Sequence, residues 1–142
     1  MAELCTLTFK DILLPSIHLT SSCKDDCSAG SYIVTDKTAC YLCYPGRYQD
    51  QDDQSSCKPC STGKHNEQQG QTSCKQCGTG KYNDQHSVAD CKGCRTGMYN
   101  NQTSATSCKE CSTGSYNDQT SATSCKTCSA GKFNDQTGQI SV

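Results

Sequence analysis

Residues 108–125 read "CKECSTGSYNDQTSATSC". The segment holds four cysteines, a Gly-x-Tyr, an Asn-Asp and many hydroxyl residues, and its largest aliphatic side chain is Ala122. With so little apolar surface to bury, its fate depends on what its cysteines do and on how often it recurs.

It recurs at a fixed interval. Cysteine pairs separated by two residues occur at Cys40/Cys43, Cys57/Cys60, Cys74/Cys77, Cys91/Cys94, Cys108/Cys111 and Cys125/Cys128, each pair 17 residues after the last. Gly46, Gly63, Gly80, Gly97, Gly114 and Gly131 keep that register, as do Tyr48, His65, Tyr82, Tyr99, Tyr116 and Phe133. Gln51, Gln68, Gln85, Gln102, Gln119 and Gln136 do the same. A looser copy with Cys23, Cys27, Gly30 and Tyr32 leads into Cys40. The chain therefore divides into three parts. Residues 1–22 are an N-terminal segment whose "TSSC" junction reads as the tail of an upstream unit, 23–39 are a degenerate repeat, and 40–142 are six repeats, the last truncated where Val142 stands in place of a cysteine.

Composition explains the design. Leu, Ile, Val and Phe number only 15 of 142 residues, and between residues 43 and 139 only Val88 and Phe133 belong to that set. A chain so poor in apolar side chains cannot offset its conformational entropy by burial and would ordinarily stay disordered. Fifteen cysteines change the outcome, because covalent closure can replace a core. The expected fold is small, disulfide-rich and mostly β: tandem 17-residue β-hairpins stacked into an elongated rod, with little helix. A formal charge of −1 gives no electrostatic case for nucleic acid or an anionic membrane, and no stretch is long and apolar enough to span a bilayer.

The repeat restricts the cysteine pairing. In "CYPGRYQDQDDQSSC" (residues 43–57) we expect a strand through Gly-x-Tyr, a polar turn near residues 50–53 and a returning strand of Ser and Thr. A hairpin of this length brings its ends together, which pairs Cys43–Cys57, Cys60–Cys74, Cys77–Cys91, Cys94–Cys108, Cys111–Cys125 and Cys27–Cys40. Cys5 and Cys23 are then left to each other, and Cys128 is a free thiol and a route to covalent dimers. Each such loop contributes ~3 kcal/mol on the chain-entropy account. The competing scheme closes each Cys-x-x-Cys on itself, a strained bond of redox enzymes, but "CKPC", "CKQC" and "CKEC" recur without a βαβ pattern. A second competitor takes C-x2-C-x13-C-x2-C as zinc ligands, which would make an intracellular zinc-binding repeat; even spacing gives no reason to group the pairs in twos.

The pattern C-x-x-C-x-x-G-x-Y-x7-[ST]-C, carried across residues 23–141, resembles the ephrin-receptor-like cysteine-rich repeat, within the wider group of growth-factor-receptor cysteine-rich regions. The Cys-x-x-Gly-x-Tyr hairpin is also similar to the first half-module of tumour necrosis factor receptor repeats. The resemblance implies a secreted or cell-surface stack of small disulfide-closed hairpins, with no catalytic or ligand-binding residue carried over. The departures are His65 in place of Tyr and the absent terminal cysteine.

These readings leave two functional classes: an extracellular structural or adhesive rod or spacer (a coat, matrix or filament component), or part of a receptor ectodomain that binds a protein. The candidate ligand patch is Leu13, Leu14, Ile17 and Leu19 with "SYIVTDKTACYLCY" after them. Partners are therefore proteins, or further copies associating along the rod. No catalytic residue, cofactor or metal site is expected: hydroxyls are abundant, but no base is placed to activate one. One acidic residue per repeat falls short of a calcium cage, and His18, His65 and His86 read as surface residues. Asn101-Gln102-Thr103 is a glycosylation sequon on a hairpin tip. The expected setting is extracellular or cell-surface, although residues 1–22 make a poor signal peptide, which with the truncated repeat points to a fragment or incomplete gene model. Lys58, Lys75, Lys92, Lys109 and Lys126 would line up along a rod, as would Asp50, Glu67, Asp84, Asp118 and Asp135, inviting side-by-side association.

Overall fold

The computed structural model describes residues 27–34 and 39–142, which form no helix and only short strands. The strands are β1 (Ser31–Ile33), β2 (Cys40–Leu42), β3 (Arg47–Tyr48), β4 (Lys58–Pro59), β5 (Lys64–His65), β6 (Lys75–Gln76), β7 (Lys81–Tyr82), β8 (Lys92–Gly93), β9 (Met98–Tyr99), β10 (Lys109–Glu110), β11 (Ser115–Tyr116) and β12 (Lys126–Thr127). They pair consecutively into six antiparallel two-stranded sheets. The fold is the disulfide-rich, mostly β repeat that the cysteine spacing implies.

Each hairpin begins with a tight turn. In Tyr44-Pro45-Gly46-Arg47 the Arg47 N–H donates to Tyr44 O at 3.1 Å while Gly46 has φ 82. Glycine at the third turn position, with proline before it, is the signature of a type II turn. The turn delivers Tyr48 opposite Lys58 and Arg47 opposite Pro59. The returning strand is thus the pair of residues inside the Cys-x-x-Cys, not the Ser/Thr run before it. The reason is covalent: the closing cysteine, not side-chain propensity, delivers the chain to its partner strand.

Six disulfides join Cys27–Cys40, Cys43–Cys57, Cys60–Cys74, Cys77–Cys91, Cys94–Cys108 and Cys111–Cys125, with Cα separations of 5.5 to 5.8 Å. Each Cys-x-x-Cys closes one loop with its first cysteine and opens the next with its second, so consecutive bridges are two residues apart along the chain. The pair expected at Cys5 and Cys23 lies outside the described residues. Cys128 is unbonded and half-buried.

Successive hairpins are then laced by backbone hydrogen bonds. The Gly46 N–H donates to Asn66 O, Gly63 to Asn83 O, Gly80 to Asn100 O and Gly97 to Asn117 O, at 2.7 to 2.8 Å. Returning bonds run from Gly70 N to Cys43 O at 2.9 Å and from Ser87 N to Cys60 O at 3.0 Å. Contacts also reach the hairpin after next. A Cβ on Gly46 would collide with Ser87 O, and one on Gly97 would collide with Gly138 O. Only a residue without a side chain permits that approach.

The buried side chains are Cys27, Cys43, Cys60, Cys77, Cys91, Cys94 and Cys111 together with the polar Ser31, Gln49, His65, Asn66, Asn83, Asn100 and Asn117. The rings of the repeat register are only half-buried at Tyr48, Tyr82, Tyr99 and Tyr116, and Phe133 is 81% exposed. Two-residue strands are too short to present a continuous face for rings to cover. The opening cysteine and the asparagine after the ring occupy the centre instead.

Candidate functional site

The asparagine following each ring works as a staple. Asn83 Nδ2 donates to Lys64 O at 2.7 Å, 19 residues back in the previous hairpin, and to Gln85 O at 2.8 Å, while Asn83 Oδ1 accepts from the Gln85 N–H at 3.0 Å. Asn100 and Asn117 repeat all three bonds, and Asn66 makes the backward bond to Arg47 O at 2.8 Å. These amides are 1 to 2% exposed and fully engaged, so the most regular polar positions of the repeat hold the stack and offer nothing to a ligand. Composition alone places them on the surface; the signal that separates them is their invariance within the register beside variable neighbours. The glutamines of the Gln51 to Gln136 series are exposed.

The outer surface is a line of ion pairs. Lys58 Nζ meets Asp50 at 2.5 Å, Lys92 meets Asp84 at 2.8 Å and Lys126 meets Asp118 at 2.6 Å, each across one hairpin. The lysine hydrogen bond holds each of these carboxyls below its ordinary value and raises the lysine in return. Lys92 and Lys126 also lie 5.9 and 5.8 Å from the Tyr82 and Tyr116 ring centroids. The basic and acidic lines therefore run together and neutralise each other in three hairpins, those of Lys58, Lys92 and Lys126. Asn101, the sequon residue, takes the acid's place in its own hairpin; it is exposed, with its Oδ1 3.4 Å from Lys109 Nζ.

Between hairpins, the ring of one unit faces the closing cysteine of the next. Tyr48 and Cys74 border a groove of about 200 Å³ with Pro59, Ser61 and Lys64. Tyr82 and Cys108 border an equivalent one of about 330 Å³ with Gly93, Arg95 and Met98. The intervening unit differs. His65 is buried rather than at the surface, with Nδ1 3.2 Å from Ala89 O, and Cys91 beneath it is buried, where Cys74 and Cys108 are half-exposed. His86 is exposed as expected, and His18 lies outside the described residues.

Large apolar side chains are exposed in two places: near the first hairpin, where Tyr41, Leu42 and Tyr44 are 43%, 48% and 60% exposed and the Tyr32 and Tyr41 rings stand 5.9 Å apart, and around the last, at Phe133, Ile140 and Val142. The other half of the expected patch, Leu13, Leu14, Ile17 and Leu19, lies outside the described residues. No helix among the described residues is long and apolar enough to cross a membrane.

Compared with known proteins, the chain matches none among curated sequences. It does match a family model described as tyrosine-protein kinase ephrin type A/B receptor-like, over residues 30–77. Those residues contain the Gly-x-Tyr turns, the Cys43–Cys57 and Cys60–Cys74 bridges and the first groove. Residues 30–77 are thus similar to the ephrin-receptor-like cysteine-rich family.

Proposed function

We propose that the chain is an extracellular structural or adhesive rod, a spacer in a coat, matrix or filament, divided as 1–22, 23–39 and 40–142. The similarity of residues 30–77 to an ephrin-receptor-like module supports an extracellular or cell-surface setting. The observation that carries the rod reading is the unbroken ladder of glycine-to-asparagine bonds from hairpin to hairpin. Each unit spends its polar groups on its neighbours, which suits a spacer of uniform units. Chains with two repeats added or removed test it. Small-angle scattering is expected to show maximum dimension changing in proportion to repeat number; a dimension that stays constant argues for a compact body and against the rod.

A second reading, part of a receptor ectodomain that binds a protein, draws on Tyr41, Leu42 and Tyr44 as an exposed aromatic and aliphatic cluster. One saturable protein partner lost on replacing all three with Ser favours this reading over the spacer. Glycosylation at Asn101 belongs to either. Secreted protein is expected to lose a discrete glycan mass in Asn101→Gln, and identical masses would remove the assignment.

A further inference from the structure

The most informative places in a regular repeat are its departures, and two of them meet. The ring position reads Tyr48, His65, Tyr82, Tyr99 and Tyr116, with histidine once. The position before the closing cysteine reads Ser56, Ser73, Asp90, Ser107 and Ser124, with aspartate once. The two exceptions belong to neighbouring hairpins, and a ring nitrogen of His65, a carboxylate oxygen of Asp90 and Cys91 Sγ all lie within 4.8 Å of one another. In the flanking units the same place is an open groove.

We propose that His65 and Asp90, joined by Glu67, form a binding site for a divalent cation of the zinc class, bridging two hairpins. The chemistry of the donor set supports it. Imidazole with carboxylates suits a borderline ion such as zinc, whereas calcium takes six or more oxygens. Cys91 Sγ is bonded to Cys77 and so is no thiolate; it forms the floor of the site, and water completes the coordination. Glu67 Oε1 lies 3.8 Å from His65 Nδ1.

The exposure of the donors fits capture. The His65 side chain is 11% exposed and held in place, while those of Glu67 and Asp90 are 58% and 63% exposed. Two ligands of one zinc ion stand roughly 3.3–3.5 Å apart, given bond lengths of about 2.0–2.2 Å. Asp90 Oδ1 accepts from the Cys91 N–H at 2.7 Å, so Asp90 would offer its second oxygen, and rotation of the exposed Glu67 carboxylate closes the rest of the difference around a fixed imidazole. Lys81 Nζ, 3.7 Å from Asp90, now neutralises that carboxylate, and the cation would take its place.

The test uses the full chain with disulfides intact and free thiols alkylated, so that Cys128 contributes no ligand. Calorimetric titration with zinc chloride is expected to show one saturable site, with cobalt giving visible d–d absorption from the same site. His65→Tyr and Asp90→Ser install the residues that the other repeats carry, and each is expected to weaken zinc binding by at least ~10–100-fold, the loss typical even of groups that merely orient a ligand. Asp90→Asn, of the same shape, serves where serine disturbs the loop. Absence of saturable zinc binding in the parent chain overturns the proposal. So does zinc binding unchanged in His65→Tyr and Asp90→Asn with the bridges still formed.

Discussion

At the scale of single residues, the repeat separates residues that hold the stack from residues that only fill it. Asn83 satisfies three backbone groups from a site 1% exposed, and truncation leaves at least one of them buried without a partner. An orphaned buried group costs about 1–3 kcal/mol. Asn83→Ala is therefore expected to lower the denaturation midpoint of the disulfide-intact protein by that amount at unchanged m-value. The loop residue two places after each glutamine behaves oppositely. Asp53, Ser87, Ser104 and Ser121 have φ of 56 to 59°, in the left-handed region where Gly70 and Gly138 stand in other units. Ser104 has in addition a buried hydroxyl with no hydrogen-bond partner. Ser104→Gly removes both penalties and is expected to stabilise by roughly 1 kcal/mol, net of the entropy glycine brings to the unfolded chain. Gly97→Ala is expected to destabilise by more than that, because its φ is 77° and its new Cβ would meet Gly138 O. Thermal denaturation of the two variants gives shifts of opposite sign if these assignments hold.

At the scale of the hairpin, a bridge and an ion pair share one short ladder. Lysine and aspartate eight residues apart, as in Lys126 and Asp118, flank the strand pair from the solvent side. Both groups are exposed, so screening by water and salt keeps the contribution small. Its sign is nevertheless defined. The Asp118 carboxyl is held below its ordinary 3.8 by the Lys126 hydrogen bond, so its stabilisation is complete above that value and fades as pH falls through the lower folded one. The lysine is raised above 10.5, so its part is present below 10.5 and fades as pH rises past the folded value. Carbon-detected titration of Asp118 is expected to give a midpoint below that of Asp118 in Lys126→Ala; identical midpoints would show that the pair does not persist in solution. The strands themselves are two residues long in most units, and the sequence marked their position only in part. Gly-x-Tyr was legible as the outgoing strand. The returning strand was misplaced onto Ser and Thr, since β-propensity says nothing about a partner delivered by a disulfide.

At the scale of the whole molecule, covalent and hydrogen-bonded links alternate along the stack. Removing one bridge opens a loop and loosens the two hairpins docked on it. Cys77→Ser with Cys91→Ser is expected to cost ~3 kcal/mol and to raise amide exchange from about residue 60 to residue 108 while the outer units stay protected. Uniform loss of protection would mean that the stack melts as one unit. Because Lys58, Lys92 and Lys126 are paired with acids of their own hairpins, three of the five lysines in the register are withdrawn from any stripe available for lateral attraction. The sedimentation coefficient is expected to stay constant between low and high salt. A larger coefficient at low salt would show that the paired charges still act between molecules.

The 17-residue spacing, the shortage of apolar side chains and the glycine three residues after each opening cysteine were enough to specify disulfide-closed β-hairpins in series, because loop closure and a type II turn are local events whose participants lie within one repeat. The partners of Asn83, the glycine faces under Ser87 and Gly138, and the meeting of His65 with Asp90 were decided only by tertiary structure. Each depends on the rotation from one hairpin to the next. That rotation is set by how sulfur, amide and backbone pack between units, and spacing along the chain does not encode it.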